Sequence, residues 1–81
     1  MSEASPRLRW QCRRGMRELD ELLQGFLERG YPQLNAAQRL TFERLLATQD
    51  NLLLEYFMGR SMPRDSDAAD VVAKIRHAAR P

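Results

Sequence analysis

Apolar side chains recur every three or four residues along this chain, and no stretch alternates with period two for long enough to form a strand. The strongest stripe begins at Met16 and continues through Leu19, Leu23, Phe26, Leu27 and Gly30. These positions fall on one side of a helix, with Glu18, Glu21, Gly25 and Glu28 roughly opposite. Gly30 followed by Tyr31-Pro32 predicts the end of that helix.

The flanking segments read the same way. Ser5-Pro6 predicts a capped start for a short helix over about 6–14, with Leu8 and Cys12 sharing one side and Arg7, Trp10 and Arg14 another. Asn35-Ala36-Ala37-Gln38 is a capping-box pattern opening a helix to about Ala47, with Phe42, Leu45 and Leu46 as its core face. Asp50 is expected to cap a helix from Asn51 to Met58, closed by Gly59. Its segment Leu52–Met58 is apolar nearly all round, which predicts the central, most buried element. Asp65-Ser66-Asp67 then caps a last helix to about Ala79, with Ala68, Val71, Val72, Ile75 and Ala79 inward. The expected fold is all-α: a small five-helix bundle in one domain over 1–81, ordered from about 6 to 79 and frayed before Ser5 and after Ala79.

A chain of 81 residues lies near the lower limit for a self-sufficient core. Cys12 has no second cysteine to pair with, which fits a reducing compartment. No apolar run reaches the roughly 18 residues of a membrane span, and Met1 to Pro6 lacks the apolar segment of a secretory signal. A bacterial cytoplasm is therefore expected, in preference to a mitochondrial matrix.

Charge is distributed unevenly. Residues 1–17 hold five arginines against Glu3, whereas residues 18–81 hold eight basic and ten acidic groups. All the basic residues are arginine except Lys74. Arginine carries a planar fork of donors suited to carboxylates, phosphates and carbonyls. The densest stretch is Arg13 to Glu21, where two helices should meet at Gly15. One role for it is purely structural: Gly15 as the N-cap of the second helix, Glu18 at its third position facing the helix dipole, and Arg14 paired with Glu18. The other role is contact. Trp10 aligned with Arg7 and Arg14 has the composition enriched at binding hot spots.

Catalysis is poorly provided for. His77 is the one histidine and is expected on the polar side of the last helix near Asp70 and Lys74. Cys12 reads as a small core residue, and the glycines have no phosphate-binding spacing. Residues 36–58 superficially resemble a helix-turn-helix, but the second helix would present Leu52, Leu53, Leu54, Tyr56 and Phe57 to a groove. A phosphate patch of Arg7, Arg9, Arg13, Arg14 and Arg17 has Glu18, Asp20 and Glu21 directly behind it, which favours a protein partner over a nucleic acid. An arginine-patch adaptor and a self-associating bundle are the alternatives.

The stretch from Arg7 to Asp20, containing Trp10, Cys12-Arg13 and the run Arg14-Gly15-Met16-Arg17-Glu18, resembles the signature of the small FAD assembly factors for succinate dehydrogenase. That family carries an Arg-Gly-x-x-Glu motif behind an aromatic residue and before Leu-Asp. The similarity continues through Phe26, Tyr31, Leu34, Phe42, Leu45-Leu46, Asp50, Leu53 and the aromatic pair Tyr56-Phe57, with Tyr56 where tryptophan is common in relatives. The resemblance implies a small helical bundle that binds the flavoprotein subunit of succinate dehydrogenase, and in bacteria that of fumarate reductase, and promotes covalent attachment of FAD to a histidine of that subunit. It implies no catalytic residue in the assembly factor itself. The motif maps onto Arg14, Gly15 and Glu18, and the expected partner-binding set is Arg7, Trp10, Arg13, Arg14, Gly15, Met16, Arg17 and Glu18. No metal and no tightly bound cofactor is expected, because so small a bundle has little room for a dinucleotide, and the expected state is a monomer.

Overall fold

A computed structural model of the chain describes residues 4–79. It contains α1 (Pro6–Gln11), α2 (Arg17–Arg29), a 3₁₀ turn (Tyr31–Gln33), α3 (Ala36–Leu45), α4 (Asp50–Phe57) and α5 (Ser66–Ala78). There is no strand among the described residues, and the all-α, five-helix expectation holds. The expected fraying at residues 1–3 and 80–81 lies outside the described residues. Ala4, also expected to fray, is buried in the core.

Three helices begin on the side chains that the sequence nominates. The Ser5 hydroxyl accepts the Leu8 N–H at 3.1 Å. Asn35 and Gln38 complete both halves of a capping box, at 2.8 and 2.9 Å. The Asp65 carboxylate accepts the Ala68 N–H at 3.0 Å. Each such cap stabilises by about 1 kcal/mol.

The core is organised around α2, whose Leu19, Leu23, Phe26 and Leu27 are all buried. This helix packs against α4 and α5, while α3 lies across α5. Phe42 of α3 meets Phe26 at 5.3 Å and Tyr31 at 5.7 Å between ring centroids, both tilted, and the Arg39 guanidinium stands 4.6 Å over the Tyr31 ring. Tilted aromatic pairs and a cation on a ring face are favourable geometries for the ring quadrupole. From α5, Val71, Val72 and Ile75 complete the interior.

Several expectations are corrected. The α4 segment is not the most buried element: Leu53 and Phe57 point inward, but Leu52 is 41% and Met58 45% exposed. Helix α4 packs against α2 and α5, and the side turned away from them stays exposed whatever its composition. Helix α1 ends at Gln11 rather than about Arg14. Asp50 is the first residue of α4 and not its cap, which is Gln49. On α5, Ala78 and not Ala79 packs against the core. Of the two glycines expected to stop helices, Gly59 has a positive φ of 77°, where L side chains are strained, but Gly30 remains right-handed at φ −109°. Gly30 is required for space: the Phe26 ring occupies the place of its missing Cβ.

Candidate partner-binding site

The junction between α1 and α2 turns the chain back on itself. Arg9 pairs with Glu28 near the end of α2 at 2.9 Å, whereas the Arg14 N–H reaches the Asp20 carboxylate near its start at 2.6 Å. Helix α1 therefore runs antiparallel along α2, with Leu8 and Cys12 buried beneath it.

Gly15 sits in the turn with φ +80° and has nothing within 4 Å of where a Cβ would stand. It is not the N-cap of α2, as the structural reading of the sequence expected; that position is Met16, whose side chain makes no capping bond. The reason is geometric, since an N-cap needs extended backbone and Gly15 is left-handed. Met16 is half-buried against the core. Glu18 consequently falls at the second helical position instead of the third. It is exposed and makes no hydrogen bond or ion pair with the described residues.

Arg14 departs furthest from expectation. It neither pairs with Glu18 nor lines the outer side with Arg7 and Trp10; its side chain is only 17% exposed. Its Nε donates to the Asp50 carboxylate at 2.7 Å. One terminal nitrogen donates to the carbonyls of Gln11 at 3.2 Å and Leu46 at 2.8 Å, and the other to Thr48 at 2.9 Å. The Gln11 and Leu46 carbonyls lie at the C-terminal ends of α1 and α3, where a cation is favoured, and Asp50 opens α4, where an anion is favoured. The fork thus satisfies orphan carbonyls at two helix ends and joins the α1–α2 turn to the α3–α4 connection. Residue spacing could not reveal this, because three of the four partners are 32 to 36 positions away. Asp20 and Asp50 are the two residues of this region that sequence reasoning missed, although both are aspartates within the family resemblance.

Of the other expected residues, Met16 turns partly into the core and the rest remain on the outside. Trp10 is 74% exposed, a large value for the largest side chain in the chain. Arg7 and Arg13 are exposed and unpaired among the described residues, and Arg17 pairs with Glu21 one turn on at 3.2 Å. The candidate site therefore comprises Trp10, Arg7 and Arg13, an open Gly15 turn, an unpartnered Glu18 carboxylate and the Arg17–Glu21 pair.

Among the described residues, neither an exposed thiol nor a metal centre accompanies it. Cys12 is fully buried, and its thiol is pushed up to about 11, by burial first, against the opposing pull of Arg14 and Arg9. A thiol held neutral and covered is inert. His77 is exposed on α5, one turn beyond the Lys74–Asp70 pair. Among the described residues no group of histidine, cysteine or carboxylate side chains has the arrangement to hold a metal ion, and no helix is long and apolar enough to cross a membrane.

Comparison with known proteins agrees with the resemblance read from the junction. A family model described as the flavinator of succinate dehydrogenase matches residues 6–79. The FAD assembly factor SdhE of Shewanella oneidensis is 41% identical over 75 residues, which cover 93% of this chain and 92% of that protein. SdhE of Colwellia psychrerythraea is 44% identical over 69 residues, covering 85% and 76%, and SdhE of Pseudomonas aeruginosa is 42% identical over 69 residues, covering 85% and 82%. With a match running from the first residue of α1 to the end of α5, the chain belongs to the flavinator family of succinate dehydrogenase, a family of FAD assembly factors and not of enzymes.

Proposed function

We propose that this protein binds the flavoprotein subunit of succinate dehydrogenase through the α1–α2 junction and promotes covalent attachment of FAD to that subunit. The observation that carries this reading is the outward-facing, unpartnered set of Trp10, Gly15 and Glu18, lying inside the segment matched by the family model. Large exposed aromatics beside arginines are the side chains that dominate protein interfaces. A turn without a Cβ admits close approach of a partner backbone.

The mechanism is a population shift. Flavin attachment requires the domains of the flavoprotein to hold the isoalloxazine against the acceptor histidine. A small domain that binds only that arrangement favours it by its differential affinity and no more. Glu18 accepts a hydrogen bond from the partner there, while Arg7, Trp10, Arg13 and Arg17 supply surrounding contact. The flavoprotein of fumarate reductase is a second client of the same surface.

A phosphate-binding reading is disfavoured by the fate of the arginines. Arg14 faces inward, Arg9 and Arg17 are paired with glutamates, and α4 carries no basic residue to enter a groove. The protein acts as a monomer in the bacterial cytoplasm and does not itself hold FAD tightly. Calorimetric titration tests both halves of the proposal. The flavoprotein subunit should bind one to one, and FAD alone should give no heat of binding at micromolar concentration. Tight FAD binding, or absence of a complex with the flavoprotein, overturns it.

A further inference from the structure

We infer that Asp50 and Asp20 are positioning residues of this site, and that the motif arginine, Arg14, serves the partner indirectly by fixing where Gly15 and Glu18 stand. This rests on the proposed role of the junction and deepens it.

The turn between α1 and α2 has few restraints of its own. Its backbone bonds among the described residues are Cys12 N–H to the Leu8 and Arg9 carbonyls at 3.1 and 3.2 Å, Arg13 N–H to the Trp10 carbonyl at 3.0 Å and Asp20 N–H to the Met16 carbonyl at 2.9 Å. Between them, the main chain of Arg14 is held by the Asp20 carboxylate, and its side chain by Asp50 and three carbonyls. Gly15 follows directly with an open, left-handed backbone. A left-handed glycine in an otherwise unbonded turn has many accessible neighbouring conformations, so the anchored residue before it decides which one is populated. The anchor is provided from the far side of the chain, at the start of α4. Four of the five guanidinium N–H donors are engaged, which leaves little with which Arg14 could greet a partner.

The test compares Asp50→Ala and Arg14→Lys with wild type, at a temperature where each variant retains native circular dichroism. Arg14→Lys keeps the charge but loses the fork. Both should weaken flavoprotein binding by about tenfold, the size of losing one charge-assisted hydrogen bond. On a Glu18→Ala background, Asp50→Ala should cost clearly less than it does in wild type, because part of its effect runs through the placement of that carboxylate. Near-wild-type binding of Arg14→Lys would mean that the charge itself meets the partner and would overturn the inference. So would a loss in Asp50→Ala that simply adds to that of Glu18→Ala. Amide exchange gives an answer independent of any partner. The Arg14 N–H should exchange faster in Asp50→Ala while the amides of Leu23 and Phe42 stay protected; unchanged protection at Arg14 sinks the inference. Failure of wild type to bind the flavoprotein would count against the proposed function alone.

Discussion

The Phe26 ring stands where a Cβ on Gly30 would have to be, so the last turn of α2 closes against its own aromatic residue. Phe26 is also the residue that meets Phe42 across the core, and it is buried. Gly25, one turn earlier on the same helix, is a different case. Its Cβ would meet only the guanidinium end of Arg29, a flexible side chain that can move aside.

The two glycines should therefore respond with opposite sign. Gly30→Ala overpacks a filled site and should destabilise by about 1–3 kcal/mol. Gly25→Ala removes unfolded-state entropy from a helix interior and should stabilise by about 0.5–1 kcal/mol. Urea unfolding of the two variants checks this, and equal effects would show that the Phe26 contact does not set the cost.

Trp10 should matter for binding and hardly at all for folding. A side chain 74% exposed forfeits little on truncation, so Trp10→Ala should change stability by less than about 0.5 kcal/mol. Its loss should cost 2 kcal/mol or more in flavoprotein affinity, in the range of an interface hot spot. Thermal unfolding and calorimetric titration on the same preparation separate the two.

Cys12 predicts an alkaline limb in stability. Its folded pKa of about 11 lies above the ordinary thiol value of 9.0, so the fold favours the neutral thiol. That contribution is complete below pH 9 and is lost as pH rises through 11. It amounts to about 2–3 kcal/mol at 1.36 kcal/mol per unit. Denaturant midpoints measured from pH 8 to 11 should fall more steeply in wild type than in Cys12→Ala, which removes this titration while leaving the tyrosines and Lys74. Parallel curves would contradict it. In the native state the thiol should also resist alkylation at pH 8 and react only on unfolding.

Most of the fold was legible because its signals are local. Ser5, Asn35-Gln38 and Asp65 announce helix starts within four residues of where they act, and the Met16–Leu27 stripe needs only helical periodicity to be read. What sequence could not supply was anything depending on a distant neighbour. The all-apolar look of Leu52–Met58 suggested a central helix, but how many sides are covered depends on what packs against it. Gly15 was visible as an interruption between helices, and its left-handed turn was not. Arg14 was visible as part of the motif, and its direction was not, because nothing near Arg14 in the chain betrays a carboxylate 36 residues away. Spacing nominated the junction as the candidate site and misassigned the one side chain that turns inward.

The central claim is that an exposed, conformationally fixed Gly15–Glu18 surface promotes flavin attachment in a partner. Substitution at Gly15 combines two effects, backbone strain at φ +80° and bulk in the partner's space, and asparagine separates them because it tolerates left-handed backbone but still carries a side chain. The direct measurement is in-gel fluorescence of covalent flavin on the succinate dehydrogenase flavoprotein, in cells lacking their own assembly factor and supplied with wild type, Gly15→Asn, Gly15→Arg or Glu18→Ala. Wild type should restore the fluorescent band, and all three variants should fail while retaining native helicity. A Gly15→Arg or Glu18→Ala protein that restores the band as wild type does would contradict the account.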